Sequence, residues 1–425
     1  MEPINVVAAV DIGTSRISVA IKSFKESSSQ LVMTDFANGK SNGVRRGVIV
    51  NEELVRADLQ NLLSALERKN NARIVSMFVG INGINVRSQS YIAQMSITKS
   101  VTMIDVRNLE KSCDQASIGH DEMILMKLPQ SYRCDNQSFV QDPVGRQCSS
   151  LECQYTLLIA SREEVSAIDR CVRNAGCDCD DVTVVPTVYA AACGALSDTE
   201  RRNGVALVDF GAATTGTAVF VKGCLRQISV LPFGAHTVTT DIARCCEINI
   251  NQSEKIKKGY GRALGDSSNS SQEYSIYTSS GGTVKLLQKQ LDFIIQARME
   301  EILDHVESEI ANADGGNGIL SGIVAVGGGA ELAGIRELVQ QRMGKSLTVR
   351  NHPGQMSASL PGLLDMAVTR RRQKMGPQQG ELFGAQEEER EVREEKPEQP
   401  QSGNKFYEIR KYFGGLFTEK DAELK

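Results

Sequence analysis

Apolar residues recur along the 425-residue chain with two different periods, and the places where the period changes mark its elements. Near the N-terminus, AAVDIGTSRISVAI (8–21) reads as an apolar strand ending in an aspartate, a small-residue turn and a second apolar strand. LVDFGAATTGTAVF (207–220) repeats that pattern. Residues 1 to 36 hold two or three strands. NEELVRADLQNLLSALERKN then sets Leu54, Leu59, Leu62, Leu63 and Leu66 on one face of a helix that packs on the sheet. Strand patterning returns in IVSMFVGINGINVRSQSYIAQMSI, followed by a helix in MIDVRNLEKSCDQAS, a strand in CQYTLLIAS and a helix in REEVSAIDRCVRNAG. Residues of about 82 to 160 therefore read as a small α+β insertion.

PTVYAAACGALSD predicts a linking helix ahead of the repeated hairpin, and helix is expected again from Ile242 to Lys258. GDSSNSSQEYSIYTSSGG is either a long hairpin or a mobile loop, and a long helix runs from about Val284 to Asn312. GIVAVGGGAELAGIRELVQQRMG reads as a buried strand, a glycine turn and a helix. Beyond Arg372 the chain turns polar and charge-dense, the composition of a disordered tether. Apolar residues then come back in KFYEIRKYFGGLFTEK. At 100° per residue, Phe406, Ile409, Phe413, Leu416 and Phe417 share one stripe, flanked by Arg410 and Lys405, whose long stems suit lipid headgroups. A tether of this length has no use for docking a helix onto its own body, so a membrane surface is the expected partner.

Composition narrows the classes. A net charge of −4 supplies no global field for nucleic acid, which is not expected as a partner. The N-terminus has no basic segment followed by a long apolar one, so the chain is expected to stay in the cytoplasm. Eleven cysteines include no C-x-x-C pair, and with four histidines they lack the spacing of a tetrahedral metal site; reduced, mostly buried thiols are expected.

Candidate chemistry sits in the turns. Asp11 and Asp209 each end an apolar strand just before a Gly-x-x-Thr-like turn. Two such hairpins facing a cleft would clamp a polyphosphate, with N–H and hydroxyl groups on the phosphates and the carboxylates on Mg²⁺ through its waters. Gly327, Gly328 and Gly329, between strand and helix, allow a base or ribose close to the backbone. Each motif alone is more often an ordinary turn, but the three in this order carry the reading. Neither the P-loop pattern nor G-x-G-x-x-G is present.

These motifs resemble the actin/DnaK-type ATPase superfamily: DIGTS its first phosphate motif, DFGAATTGTAVF its second, VVPTVYAAACGAL its connecting helix and AVGGGAELAGI its adenosine motif. Within it, RRGVIVNEELVRADLQNLLSALE, FVGINGINVRSQ, LPFGAHTVTTDIA, SEKIKKGYGRAL and the amphipathic C-terminus on a tether look like the bacterial cell-division FtsA family. That resemblance implies an α/β, actin-like two-lobed fold with two RNase H-like sheets around a nucleotide cleft. It divides the chain into a first lobe (1–81 and 161–198, with a return helix at about 360–372), an insertion (82–160), a second lobe (199–241 and 313–359) and its helical/β subdomain (242–312). A disordered linker (373–404) and a membrane-targeting helix (405–420) follow.

By the same resemblance, Asp11 and Asp209 lie near Mg²⁺, Gly13, Thr14, Ser15, Gly211 and Thr214 on the phosphates of ATP, and Gly327 to Gly329 on the adenosine. Glu254 and Lys257 match positions that contact ribose and base; read from the helix alone, they are also an i,i+3 charge pair. The implied function is an ATP-binding protein that polymerises and anchors FtsZ filaments, with FtsZ, further copies of itself, membrane lipids and other divisome proteins as partners. Its implied place is the cytoplasmic face of the inner membrane at the division site, as a peripheral protein. Relatives often carry three glycines in the second loop and an acidic residue two places after its threonine, where this chain has Ala212, Ala213 and Gly216; Val185 stands where strongly hydrolysing relatives have glutamate. No catalytic residue is assigned, and at most a slow ATPase is expected. Two alternatives share the motifs: a sugar-kinase-like phosphotransferase, for which no catalytic aspartate is visible, and a PilM-like pilus-assembly module, which lacks the detached tail.

Overall fold

The computed structural model describes residues 3–23, 35–135, 139–177, 179, 181–265, 271–277, 282–314, 319–352, 354 and 356–375. Phe406, Ile409, Arg410, Phe413, Leu416 and Phe417 lie outside the described residues, as does most of the linker before them.

β1 (Ile4–Ile12) and β2 (Arg16–Ser23) form the first hairpin, and β3 (Asp35–Lys40) extends it antiparallel. A ribbon of β4 (Val44–Arg45) and β5 (Val48–Ile49) leads into α1 (Glu52–Asn70). That helix starts where Asn51 accepts the Leu54 N–H, has Glu52 and Glu53 in its first turn, and ends at Asn71 in the left-handed region. It buries Val55, Leu59, Leu63 and Leu66, spaced by four, four and three residues. Leu54 is 46% exposed and Leu62 only partly buried, which corrects the leucine stripe: Val55, one residue and 100° further round, fills the place expected for Leu54.

β6 (Ala72–Ile81) returns parallel to β1. Next come β7 (Arg87–Ser96), α2 (Met103–Lys111), β8 (Glu122–Cys134) and β9 (Ser150–Ser161), whose strands form a separate sheet in the order β7-β9-β8 with its own core around Leu151, Tyr155 and Leu157. β8 escaped the sequence reading, because EMILMKLPQSYRC mixes apolar and polar residues without clean alternation, and its pairing with β9 shifts register twice.

α3 (Arg162–Arg173) leads to β10 (Asp181–Pro186), parallel to β6. α4 (Thr187–Ala195) and the short α5 (Asp198–Asn203) connect to β11 (Val205–Phe210), β12 (Thr215–Val221) and β13 (Cys224–Leu231). α6 (Ala235–Cys245) begins seven residues before the helix expected at Ile242, and α7 (Ile250–Tyr260) follows it. The serine-rich stretch contributes a hairpin strand: β14 (Glu273–Tyr277) pairs with β15 (Thr283–Leu287). Val284 thus lies on a strand, and the long helix α8 (Gln288–Asp314) starts after it. β16 (Ile323–Val326), α9 (Ile335–Met343), β17 (Leu347–Val349) and α10 (Ser359–Met375) complete the described chain.

The two large sheets share one topology. Their orders are β10-β6-β1-β2-β3 and β13-β12-β11-β16-β17, so in each the first strand is central, the next two extend it antiparallel and the last two join it in parallel. The repeated hairpins are the same part of two copies of one sheet. Between the copies runs α4, whose Thr187, Val188, Tyr189, Ala190, Ala191 and Ala192 are all buried. Small side chains let it contact β6 and β10 on one side and β11 and β12 on the other, so one core runs through both lobes. Its C-terminal carbonyls are satisfied by arginines: Arg201 Nη2 donates to Ala192 O (3.3 Å), Cys193 O (3.0 Å) and Leu196 O (2.8 Å), and Arg350 Nη1 to Ala195 O (2.6 Å). Arg350 also pairs with Glu200 at 2.5 Å and holds that carboxyl down at about 2.

α10 crosses α4 backbone to backbone. A Cβ on Gly362 would fall 2.0 Å from Ala190 O and 3.2 Å from Gly194 N, so only glycine permits this approach. None of the eleven cysteines forms a disulfide; five are buried, five are half-buried and Cys245 is exposed. Among the described residues no helix is long and apolar enough to cross a membrane.

Gly362→Ala is expected to destabilise the protein by about 1–3 kcal/mol through forced separation of the two helices. Equilibrium unfolding in denaturant reads this, and a variant as stable as wild type would show that the crossing is not tight.

Candidate functional site

The C-terminal ends of β1 and β11 bring their aspartates to one place. Each hairpin turn is built alike: a Cβ on Gly13 would lie 2.8 Å from Arg16 O, and one on Gly211 2.8 Å from Thr214 O. Asp209 is close enough to Asp11 to feel its charge. Burial first, and Asp11 second, push the Asp209 carboxyl up to about 7. Burial also raises Asp11, against the hydrogen bonds of Ser357 and Ser359 and the charge of Arg16. Ser357 Oγ donates to Asp11 Oδ2, and the two serine hydroxyls lie 3.1 Å apart. These serines, Ser357 346 residues away in the chain and Ser359 two further on, carried no sequence signal.

The first turn is braced by the β4–β5 ribbon. Gly47 N–H donates to Thr14 Oγ1 at 3.0 Å, and Ser41 N–H to the carbonyl of the exposed Ser15 at 3.3 Å. The second turn is braced by the start of α6, where Ala235 N–H donates to Gly211 O (2.9 Å) and His236 N–H to Ala212 O (2.7 Å). Thr214 is buried, and its Oγ1 accepts from Asn82 Nδ2 of the other lobe at 2.8 Å.

The glycine turn after β16 joins the same site. Gly327 has φ +86°, and a Cβ there would lie 2.4 Å from Asp209 Oδ1. Around Gly328 a side chain would meet nothing within 4 Å, so this turn presents bare backbone to open space. Gly329 packs on Phe210, and Asn351 Nδ2 holds the Gly327 carbonyl at 3.1 Å.

Glu254 and Lys257 stand on α7, turned toward α6. Lys257 is buried and its Nζ reaches Glu254 Oε2 (2.8 Å), Thr239 Oγ1 (2.8 Å) and Ala235 O (2.9 Å); Thr239 in turn donates to Glu254 at 2.5 Å. Burial depresses the Lys257 pKa despite the Glu254 partner, whereas the Glu254 carboxyl, penalised first by its own burial, ends lowered by Lys257 and Thr239. The ammonium therefore has an acceptor for each of its three protons, two of them on α6, whose start braces the second turn.

Two buried oxygens at this site have no hydrogen-bond partner, Thr187 Oγ1 and Asn82 Oδ1. A Cβ on Gly80 would sit 2.6 Å from that Thr187 oxygen and 3.5 Å from Asp11 Oδ1, which places all three at the end of β6. Val185 is fully buried and paired with Gly80, an apolar wall next to these oxygens. Orphaned oxygens and paired carboxylates fit a hydrated divalent cation carrying phosphate. Among the described residues no cluster of three or more His, Cys, Asp or Glu side chains could hold a metal ion directly.

Asp209 links the site to pH. Its folded pKa is raised from 3.8, so its contribution to stability is present at low pH and lost as pH rises to about 7. Asp209→Asn removes the buried charge. Without nucleotide, it should melt progressively higher than wild type as pH rises through that range, by a few degrees above pH 7. A melting difference that does not change with pH would show that the carboxylate is not strained.

The comparisons with known proteins fall on these same segments. A family model described as "Cell division protein FtsA" matches residues 206–367, and one described as "SHS2 domain inserted in FTSA" matches 82–159; together they take in more than half of the chain. The cell division protein FtsA of Pseudomonas aeruginosa is 28% identical over 337 residues, covering 79% of this chain and 80% of the relative. That of Bacillus subtilis is 29% identical over 346 residues, with 80% and 77% covered. Among solved structures, the PilM-PilN type IV pilus biogenesis complex aligns with TM-score 0.60 at 14% identity, over 85% of this chain and 98% of that one. MreB5 of Spiroplasma citri bound to ADP aligns with TM-score 0.54 at 13% identity, over 88% and 99%. The fold is actin-like.

Proposed function

The chain belongs to the bacterial cell-division FtsA family, and from that premise we propose that it binds ATP with Mg²⁺, polymerises, and ties FtsZ filaments to the cytoplasmic face of the membrane at the division site. The observation that carries the nucleotide part is the meeting of Asp11 and Asp209 at one place, where desolvation raises both carboxyls and Asp209, pushed up further by Asp11, has no opposing charge. Bound Mg²⁺ would supply that charge and neutralise the phosphates. Gly13, Thr14 and Ser15 from one lobe and Gly211 and Thr214 from the other would hold the phosphates, and Gly327 to Gly329 the adenosine. Glu254 and Lys257 would act on the nucleoside side by fixing α6 against the second turn, since their charges are already spent there.

Hydrolysis on this reading is slow. Val185 is apolar, and a hydroxyl such as that of Thr187 is a weak base for orienting water compared with a carboxylate. ATP then works mainly as the ligand that closes two lobes around α4. Membrane attachment rests on the sequence of Phe406, Ile409, Phe413, Leu416 and Phe417, with Arg410 toward the headgroups. Ordering the segment, with Gly414 and Gly415 inside it, offsets much of what their burial contributes, so one tail binds weakly and a polymer binds tightly by presenting many.

Titration with Mg·ATP should show saturable binding by wild type and none by the Asp11→Ala, Asp209→Ala double variant, with turnover far below the ~10 s⁻¹ of a typical enzyme. Tight binding by the double variant would remove the cleft assignment, and fast turnover the slow-hydrolysis reading. Phe413→Glu should abolish sedimentation with anionic liposomes at unchanged ATP affinity. Equal sedimentation of that variant and wild type would end the tail assignment.

A further inference from the structure

Asn82 stands where β6 gives way to the insertion sheet, yet its side chain leaves its own lobe. Its Nδ2 donates to Thr214 Oγ1 at 2.8 Å, joining the end of a first-lobe strand to the phosphate turn of the second. Its Oδ1 is buried without a partner. The backbone carbonyl of Asn82 also lies against Gly47, the residue whose N–H holds Thr14 of the first phosphate turn. One residue therefore touches the supports of both turns.

Resting on the nucleotide reading above, we propose that Asn82 is a specificity-determining residue that contacts the terminal phosphate of a nucleoside triphosphate and so favours it over the diphosphate. A nucleotide with its base against Gly328, on the second-lobe side of the cleft, would extend its phosphates toward the end of β6, where a Cβ on Gly80 would lie 2.6 Å from Thr187 Oγ1 and 3.5 Å from Asp11 Oδ1, two residues before Asn82. Thr214, accepting from Asn82, keeps its own hydroxyl proton for a phosphate oxygen. The second N–H of the Asn82 amide is a further donor to that phosphate, and its orphaned Oδ1 accepts from a water of the hydrated cation. A diphosphate that stops one phosphate short leaves the amide as it stands in the free cleft, with the same oxygen unsatisfied.

Calorimetric titration of the full chain with Mg·ATP and Mg·ADP tests this in wild type, Asn82→Ala and Asn82→Asp. Asn82→Ala is expected to weaken Mg·ATP about tenfold and Mg·ADP less than about twofold, the size of one hydrogen bond to a charged group. Asn82→Asp, which keeps the shape and adds a negative charge, should weaken Mg·ATP at least as much, and it keeps the test open if the alanine variant folds poorly. Equal losses for both nucleotides, or none, overturn the assignment of Asn82 while leaving the cleft as a nucleotide site. Wild type that binds neither nucleotide overturns the nucleotide reading itself.

Discussion

Two like charges held close together in a buried place are the constraint around which this protein is arranged. Asp11 and Asp209 each sit near the end of a central strand, half-buried beside fully buried apolar neighbours of the same strand. Burial pushes both carboxyls toward protonation, and the charge of Asp11 adds to the shift of Asp209. A fold tolerates this only if the rest of the scaffold holds the two strands in place. Here that scaffold is α4, made of small buried residues, its end fixed by Arg201 and Arg350 and its flank by the glycine crossing with α10. The packing of α4 and the raised carboxyls belong together: the first holds in place the strands that carry the second.

The insertion is tied into the same frame. It leaves the first lobe after β6, but its sheet lies against β13, the edge strand of the second. Ile228 N–H donates to Ser88 Oγ at 2.9 Å, Thr156 Oγ1 to Leu225 O at 3.0 Å, and Cys224 Sγ to Gln130 O at 3.2 Å. An open sheet edge is thereby covered by side chains rather than by another strand. Where the chain enters and leaves the insertion, Asn85 on one side and Glu164 at the start of α3 on the other are joined at 2.7 Å. Asn82 lies three residues before Asn85, so the same short segment serves both the root of the insertion and the cleft.

Much of this was legible in the residues. Two Asp-turn hairpins announced two similar sheets, and the strand orders agree because an apolar strand ending in Asp-x-Gly carries both a local turn and a burial pattern. The placement of α1, α4, α9 and the glycine turn also followed from periodicity and punctuation. The misses have separate causes. β8 has no clean alternation because its pairing is irregular, Leu54 looked interior because leucine identity outweighed its angle, and the helix at Gln288 was drawn four residues too early because Val284 and its neighbours suit strand and helix alike.

What the sequence determined by itself was local: which segments are strands and helices, which turns can bring N–H groups and a carboxylate together, and that the folded pattern is followed by a polar stretch and an apolar return. What only the tertiary structure decided was which of these share one place. Ser357 reaches Asp11 across 346 residues, Asn82 reaches Thr214 across 132, and Lys257 reaches Ala235 and Thr239 of α6 as well as Glu254 of its own helix. Periodicity reports how a side chain lies relative to its own element, because backbone geometry repeats within the element. Distances between elements depend on how whole faces pack, which is a property of the summed core and of no short stretch of residues.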